Sequence, residues 1–459
     1  MTVSPTTAAL PRRPLWGSER RQLGLLMLAA LLLRLAFLSI HRPGDYLQGG
    51  DGQWYVQQGW LIAHNSLPAP LTTVGPLYPV GLALLWLVFP TATEPVGVES
   101  IPAAYLTLVR LSQVALSLFV VGLGYLLARG LTASHAAGMV TAVGLGLGPA
   151  FIMEPVHILT EPVFMALMTL GVWLYIRGMR SPSRAGFALT GFVLALSALT
   201  RPVTLLFPAV LIPHMWTDRR STGARRGLPW LLGAFALMLL PWSIYLQRTT
   251  GSFLPEGFAS NLWIGAVGEG QWEGSATLDQ WRQEFGGEDG SYVQEALRVI
   301  ASDPIGWLTL RARRLAAAVL TPHGMSDLSG PSIKLLFGEW LARGMPLDGL
   351  WVIASAPHFP LKLVIYLIHF AALGLGGVGA WISLRRWRDV YAILAGGLYL
   401  VAAYAFLTIL PRYLFPAEVF LWVVAAAGAL WLSHRLHRNP RPGPPRDGPA
   451  DTALPSDAP

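Results

Sequence analysis

About ten times along this chain an apolar segment of membrane scale follows another after only a short polar interruption, and that repetition constrains the fold more than any motif. Hydrocarbon offers no water to backbone N–H and C=O groups, so such segments fold as helices that satisfy their own backbone. The segments are Leu23 to Ile40, Ala103 to Ala128, Ala136 to Phe151, Val163 to Ile176, Phe187 to Thr200, Val203 to Trp216, Leu228 to Leu246, Leu361 to Leu384, Val390 to Leu410 and Leu414 to Leu432. With 53% hydrophobic and 13% charged residues the chain lies far from a soluble domain, where roughly 25% are charged. The expected fold is therefore an all-α polytopic membrane protein of roughly ten transmembrane helices.

Basic residues orient the bundle. Arg12, Arg13, Arg20 and Arg21 precede the first segment, which lacks a small-residue cleavage site and reads as an uncleaved anchor starting inside. Arg129, the Arg177 to Arg184 group, the Arg219 to Arg226 group and Arg385, Arg386 and Arg388 then all fall on the inner side. The run from Pro79 to Phe89 is too short and too bounded by proline to cross, so it is expected to be re-entrant or juxtamembrane. The net charge of +8 is almost all arginine, since Lys334 and Lys362 are the only lysines, and positive-inside loops account for it without nucleic acid. There is no cysteine, which excludes disulfides and thiolate chemistry. The expected organisation is a cytoplasmic tail (1–22), an N-terminal transmembrane module with external loops (23–246), an external region with interfacial helices (247–360), C-terminal transmembrane helices (361–434) and a disordered cytoplasmic tail (435–459). Within the external region, Trp307 to Leu320 carries Arg311, Arg313 and Arg314 on an otherwise apolar segment, as a surface-lying helix would.

On this topology Asp51, Glu154, His157, Glu161, Arg201, Arg248 and Arg412 gather at the outer face. Ionisable groups at membrane depth are costly, so their gathering is a functional hypothesis. Asp51, in Gly49 to Tyr55 (Gly-Gly-Asp-Gly-Gln-Trp-Tyr), can act as a base toward a lipid-borne substrate or simply cap a turn or helix. Glu161 suits orientation of a base or binding of a divalent cation such as Mg or Mn; equally, Thr160-Glu161-Pro162 makes a good helix start. Arg201 and Arg412 can each grip a phosphate bidentately or snorkel at the interface. His157 reads either as a ligand or as a helix-end residue satisfied by a backbone carbonyl, and Trp54 and Tyr55 as interface anchors or substrate contacts. No nucleotide-binding loop or HExxH is present, so soluble nucleotide donors have no support.

Taken in order, Asp51 with Tyr55, Pro76-Leu77-Tyr78-Pro79, Thr160-Glu161-Pro162, Leu194 to Pro202, Pro241-Trp242-Ser243-Ile244, Asn261 to Gly265 and Pro411 to Pro416 resemble the lipid-phosphate-sugar-dependent glycosyltransferases. That group includes the protein O-mannosyltransferases and the aminoarabinose transferase of lipid A. The resemblance runs from about Leu23 to Leu432. It implies a GT-C-like bundle with external juxtamembrane helices and a multi-pass protein of the cytoplasmic membrane with both termini inside. The implied reaction is inverting transfer of a hexosyl or pentosyl group from a polyprenyl-phosphate carrier to an acceptor hydroxyl on a protein, lipid or glycan. By position, Asp51 would be the base, Glu161 would orient the acceptor or a metal, and Arg201 and Arg412 would hold the carrier phosphate. Tyr55, His157 and Arg248 would line the substrate site. Two departures stand out: Val74-Gly75 precede Pro76 where many members carry Lys or His, and Tyr245 to Arg248 replace an Arg-Asn after Pro-Trp. The competing expectations are a transporter or flippase for a lipid-linked saccharide, with charge near the bilayer midplane, and a catalytically silent scaffold. Charge within the spans is sparse, at Arg34 and Arg110, which disfavours the transporter.

Overall fold

The computed structural model describes residues 17–42, 44–47, 50–64, 72, 74–89, 94–218, 222–253, 255–267 and 289–437. The outer parts of both expected tails, 1–16 and 438–459, and residues 268–288 of the expected external region lie outside the described residues. Every described regular element is helical. All ten expected membrane segments fall largely in helices, and among the described residues six helical stretches are long and apolar enough to cross a bilayer, or seven if one bent pair counts as a span.

Helix α1 (Gly17–Ser39) leads to two short helices, α2 (Asp51–Ala63) and α3 (Leu77–Trp86). At about 1.5 Å per residue neither spans a bilayer, in line with the expectation for Pro79 to Phe89. They are fastened to each other where the Trp86 indole donates to Val56 O (3.1 Å), and to the long α4 (Ala103–Thr132) where Trp86 stacks on Tyr105 at 4.0 Å.

The expected span Ala136 to Phe151 is broken. Helix α5 (His135–Leu147) and α6 (Pro149–Met153), with the turn after it, meet at 55°. Pro149 has no N–H to give the Leu145 carbonyl, and the bend takes the next amide from Gly146. Arg34, buried in α1, replaces both donors, reaching Gly146 O at 2.7 Å and Leu145 O at 3.0 Å, with Ser117 Oγ at 3.0 Å. Arg110 does the same for loop carbonyls, donating to Val156 O and Asp45 O (both 2.8 Å). These two intramembrane arginines are thus backbone clamps.

Helices α7 (Glu161–Arg180), α8 (Arg184–Thr200), α9 (Phe207–Thr217) and α10 (Thr222–Thr250) follow, with a 3₁₀ turn at Pro202–Leu206 before α9. Then come α11 (Glu256–Val267), α12 (Asp289–Ser302) and α13 (Pro304–Val319). The last covers the segment expected to lie on the membrane surface; it is helical and exposes Arg313 and Arg314, whereas Arg311 is 4% exposed and donates to Gly265 O (3.0 Å), Ala405 O (2.8 Å) and Leu407 O. It closes the carbonyls left where a later helix ends. Two short helices, α14 (Ile333–Ala342) and α15 (Leu347–Ala354), precede α16 (Phe359–Ser383), α17 (Trp387–Phe406) and α18 (Pro411–Leu436).

The core gathers Phe164, Phe187, Leu194, Phe207, Val423 and their neighbours from α7, α8, α9 and α18. Lipid tails are as apolar as these side chains, so close fit rather than water exclusion holds such helices together. Gly379 of α16 shows it: a Cβ there would strike the Val424 carbonyl of α18.

Candidate active site

The start of α2, the start of α7, the end of α8 and the start of α18 meet at one end of the bundle. Asp51 is the first residue of α2, with Gly50 as an extended N-cap that has no side chain to offer. Its carboxylate is instead taken by Arg412, which donates from Nη2 to Oδ2 at 2.7 Å. The contact stays open to solvent, with the Asp51 side chain 45% and the Arg412 side chain 31% exposed.

Behind it lies a drier pair. Glu161 opens α7 with its side chain 3% exposed, and Arg201, immediately after α8, brings Nη1 to 3.0 Å from Oε1. That nitrogen lies off the hydrogen-bond line, so the contact is one of charge, and Arg201 Nη1 keeps an unfilled hydrogen-bond direction, as does Arg412 Nε. Thr160 is the N-cap of α7, but its side chain makes no capping bond; its hydroxyl donates to Glu161 Oε2 at 3.3 Å instead. Burial works against the Arg201 charge, but the Glu161 carboxylate and the surrounding phenols outweigh it and hold the guanidinium firmly protonated.

Aromatic rings wall the two cations. Tyr413 lies 4.9 Å from the Arg201 guanidinium and 5.1 Å from that of Arg412, and stacks on Tyr404 at 5.1 Å. Tyr55 packs edge-on against Tyr78 at 5.1 Å, within the fields of Arg201, Glu161 and Asp51. Its burial raises the phenol pKa, so Tyr55 is a neutral hydroxyl here. Neither Tyr404 nor Tyr413 was singled out from the sequence, although Tyr413 adjoins Arg412.

His157 departs from the helix-end expectation. It meets a side chain, Asp327 Oδ2, at 3.0 Å, while Glu154 meets His323 at 2.5 Å. Two acid–histidine bridges thus tie the turn before Glu161 to the loop after α13. His323 also stacks on Phe415 at 4.2 Å, one turn along α18 from Arg412. Arg248 is exposed at the end of α10 and forms no ion pair within this cluster.

Of the two residues that stand before Pro76, position 75 has no room for a side chain. Gly75 sits so close to the carbonyls of Leu199 and Thr200, just ahead of Arg201, that a Cβ would collide with both. As to a divalent cation at Glu161, the donor set does not fit one: the charges around it are the Arg201 and Arg412 guanidiniums and His323, and among the described residues no three His, Asp or Glu side chains converge as metal ligands.

Residues 74–254 match the family model for dolichyl-phosphate-mannose-protein mannosyltransferase. ArnT from Cupriavidus metallidurans bound to undecaprenyl phosphate superposes with a TM-score of 0.53 at 14% identity, over 90% of this chain and 61% of that one. The archaeal oligosaccharyltransferase AglB from Archaeoglobus fulgidus, in complex with an inhibitory peptide and a dolichol-phosphate, gives 0.54 at 13%, over 92% and 51%. The chain has the fold of these two proteins, a GT-C-like helical bundle, and the family model matches part of it. It spans less than two thirds of the length of these GT-C neighbours. No curated protein sequence matches it. The family match begins at Val74 and so contains Gly75, Glu161 and Arg201, but neither Asp51 nor Arg412. Those two complete the cluster from the flanking parts of the chain.

Proposed function

We infer that the protein transfers a sugar from a polyprenyl-phosphate carrier to an acceptor hydroxyl at the outer face of the cytoplasmic membrane, by inverting displacement. The observation that carries this reading is the convergence of one exposed carboxylate, Asp51, with two guanidiniums, each keeping a buried nitrogen without a hydrogen-bond partner. A lipid phosphate is already a competent leaving group. The protein has to orient the acceptor, remove one proton and neutralise the departing charge.

On this reading, Asp51 accepts the hydroxyl proton as the acceptor oxygen bonds to the anomeric carbon. The anomeric carbon–oxygen bond to phosphate breaks on the opposite side, and the electron pair leaves on the phosphate. Arg412 turns from Asp51 to that phosphate, and the free Nη1 direction of Arg201 meets a second phosphate oxygen. Glu161 takes no proton; it keeps Arg201 in place, and no step passes through a metal. Tyr55 and Tyr413 shape the wall on which the sugar rests. The arginine distribution between spans supports the outer location.

The test is transfer of radiolabelled sugar from a polyprenyl-phosphate pool in membranes carrying wild type, Asp51→Asn or Glu161→Gln at matched expression. Transfer by wild type and its loss in Asp51→Asn supports the base assignment. Equal transfer by Asp51→Asn removes Asp51 from the mechanism.

A further inference from the structure

Among the described residues, the stretch from Ile333 to Ala354 exposes a run of large apolar side chains outside the long helices. Leu335, Phe337 and Leu341 on α14 and Leu350 on α15 all face outward; Leu347 is 85% and Trp351 77% exposed. No residue of α14 is buried, and on α15 only Ile353 is. Yet the two helices form a defined unit. The Trp340 indole donates to Pro346 O across the turn at 2.8 Å, and its ring packs against Gly349.

The base of this hairpin is clasped from the membrane side. Lys362, fully buried in the first turn of α16, places its ammonium on the carbonyls of Ser329 (2.7 Å), Pro331 (3.0 Å) and Gly330 (3.3 Å). Gly330 in turn packs on Pro357 at the other end. At about 1.5 Å per residue, α14 and α15 are roughly 15 and 12 Å long, no more than half of the ~30 Å hydrocarbon core. They cannot cross it.

We propose that the α14–α15 hairpin is a membrane-binding element that lies in the bilayer interface on the same side as the Asp51–Arg412 cluster, with Leu347 and Trp351 among the acyl chains. Two observations select lipid as the occupant, and a third sets the side. Both helices of the hairpin pack against α16, which exposes Leu361, Val364 and Leu367 and lies in a stretch apolar and long enough to span. The only charged side chains on the two helices and their turn are Lys334, Glu339, Arg343 and Asp348, few enough to reach the head groups from an interfacial helix pair. The side is set by packing: Met325 packs on Ile365 and Tyr366 near the start of α16, and Ala318 on Tyr404 and Leu414 beside Arg412. The hairpin therefore occupies the leaflet next to the cluster. This inference rests on the fold and stands independently of the transfer reading.

The absence of cysteine makes a direct test simple. Leu347→Cys and Trp351→Cys, each as the single cysteine of the full chain, are purified, reconstituted in phosphatidylethanolamine–phosphatidylglycerol nanodiscs and spin-labelled. Leu237→Cys, on the exposed face of the α10 span, is the lipid reference. The expected result is high accessibility to oxygen and low accessibility to a water-soluble nickel complex, as at Leu237→Cys, with labelling by a membrane-impermeant maleimide at least tenfold slower than in the unfolded chain. High nickel accessibility with fast maleimide labelling places the hairpin in water and overturns the proposal. Low accessibility to both probes places it under a second copy of the chain and overturns it equally.

Discussion

Arg412 donates to Asp51 across 2.7 Å although 361 positions separate them in the chain. The pair joins the first short helix after α1 to the last long helix, so the cluster exists only when both ends of the bundle have assembled. It also means that the proposed base is held by a cation before any substrate arrives, and that a phosphate entering the site competes for that cation.

Asp51→Asn is therefore expected to cut turnover by about 10²–10⁴ while leaving the apparent affinity for the lipid donor within a few-fold, because the amide cannot accept the proton but still receives the Arg412 donor. Steady-state transfer with varied donor checks it. A large rise in donor KM at unchanged kcat would instead make Asp51 a binding group.

Arg412→Lys keeps the charge and removes the fork. Since Lys offers a point charge where Arg offers two parallel donors, donor KM is expected to rise about tenfold or more, with the protein still folded. Unchanged KM in the same assay would take Arg412 off the phosphate.

Arg201→Gln reads the buried pair. With Glu161 left charged and unpaired, the loss of stability is expected to be about 3–5 kcal/mol, and Arg201→Gln with Glu161→Gln should recover most of it while remaining inactive. Thermal melts of the purified variants in one detergent decide this. A double variant no more stable than the single one would mean that the two side chains are not energetically coupled.

Much of this architecture is visible in the sequence because its physics is local. A run such as Leu414 to Leu432 announces a span by composition alone, and Thr160-Glu161-Pro162 marks the start of α7 through proline chemistry within a few residues. What is not local was not legible. Nothing near Asp51 points to Arg412, and nothing near Glu161 selects Arg201 over Arg248. His323 and Asp327 sit in a stretch without periodicity, so the bridges to Glu154 and His157 had no signal beyond the presence of acids and histidines. The bend at Gly148-Pro149 did have one, since proline inside an apolar run forfeits a helical hydrogen bond. Arg34 and Arg110 looked like stray charges because the carbonyls they serve belong to other segments.

The acid–histidine bridges make stability depend on pH. Burial alone would lower the His157 pKa, but the hydrogen bond and charge of Asp327, with Glu154 behind it, outweigh burial and hold the imidazolium above its ordinary 6.5. The same balance against Glu154 raises His323. A histidine whose folded pKa is raised contributes stability that is fully present below the unfolded pKa and is lost as pH rises through the folded one. Melting temperature is therefore expected to fall as pH climbs from about 6.5 into the alkaline range, by a few degrees for each ~1 kcal/mol. In His157→Gln with His323→Gln that slope should flatten. An equal slope in wild type and double variant would assign the pH dependence elsewhere.

The break between α5 and α6 gives the last prediction, and it separates a structural charge from a functional one. Arg34→Met keeps the side-chain volume and removes the donors to Leu145 O and Gly146 O. Each stranded carbonyl in a buried membrane site costs about 1–3 kcal/mol, so the variant is expected to lose roughly 2–6 kcal/mol. Pro149→Ala on the same background restores an N–H for Leu145 and lets the helix run straighter, and part of the stability should return. Activity should not, because a straighter helix moves Glu154 and His157 away from His323 and Asp327 and shifts the turn that leads into Glu161. Melts and transfer assays on the single and double variants measure both arms. Recovery of neither stability nor activity would mean that Arg34 acts through Ser117 and the packing of α1 on α4 rather than through the carbonyls at the bend.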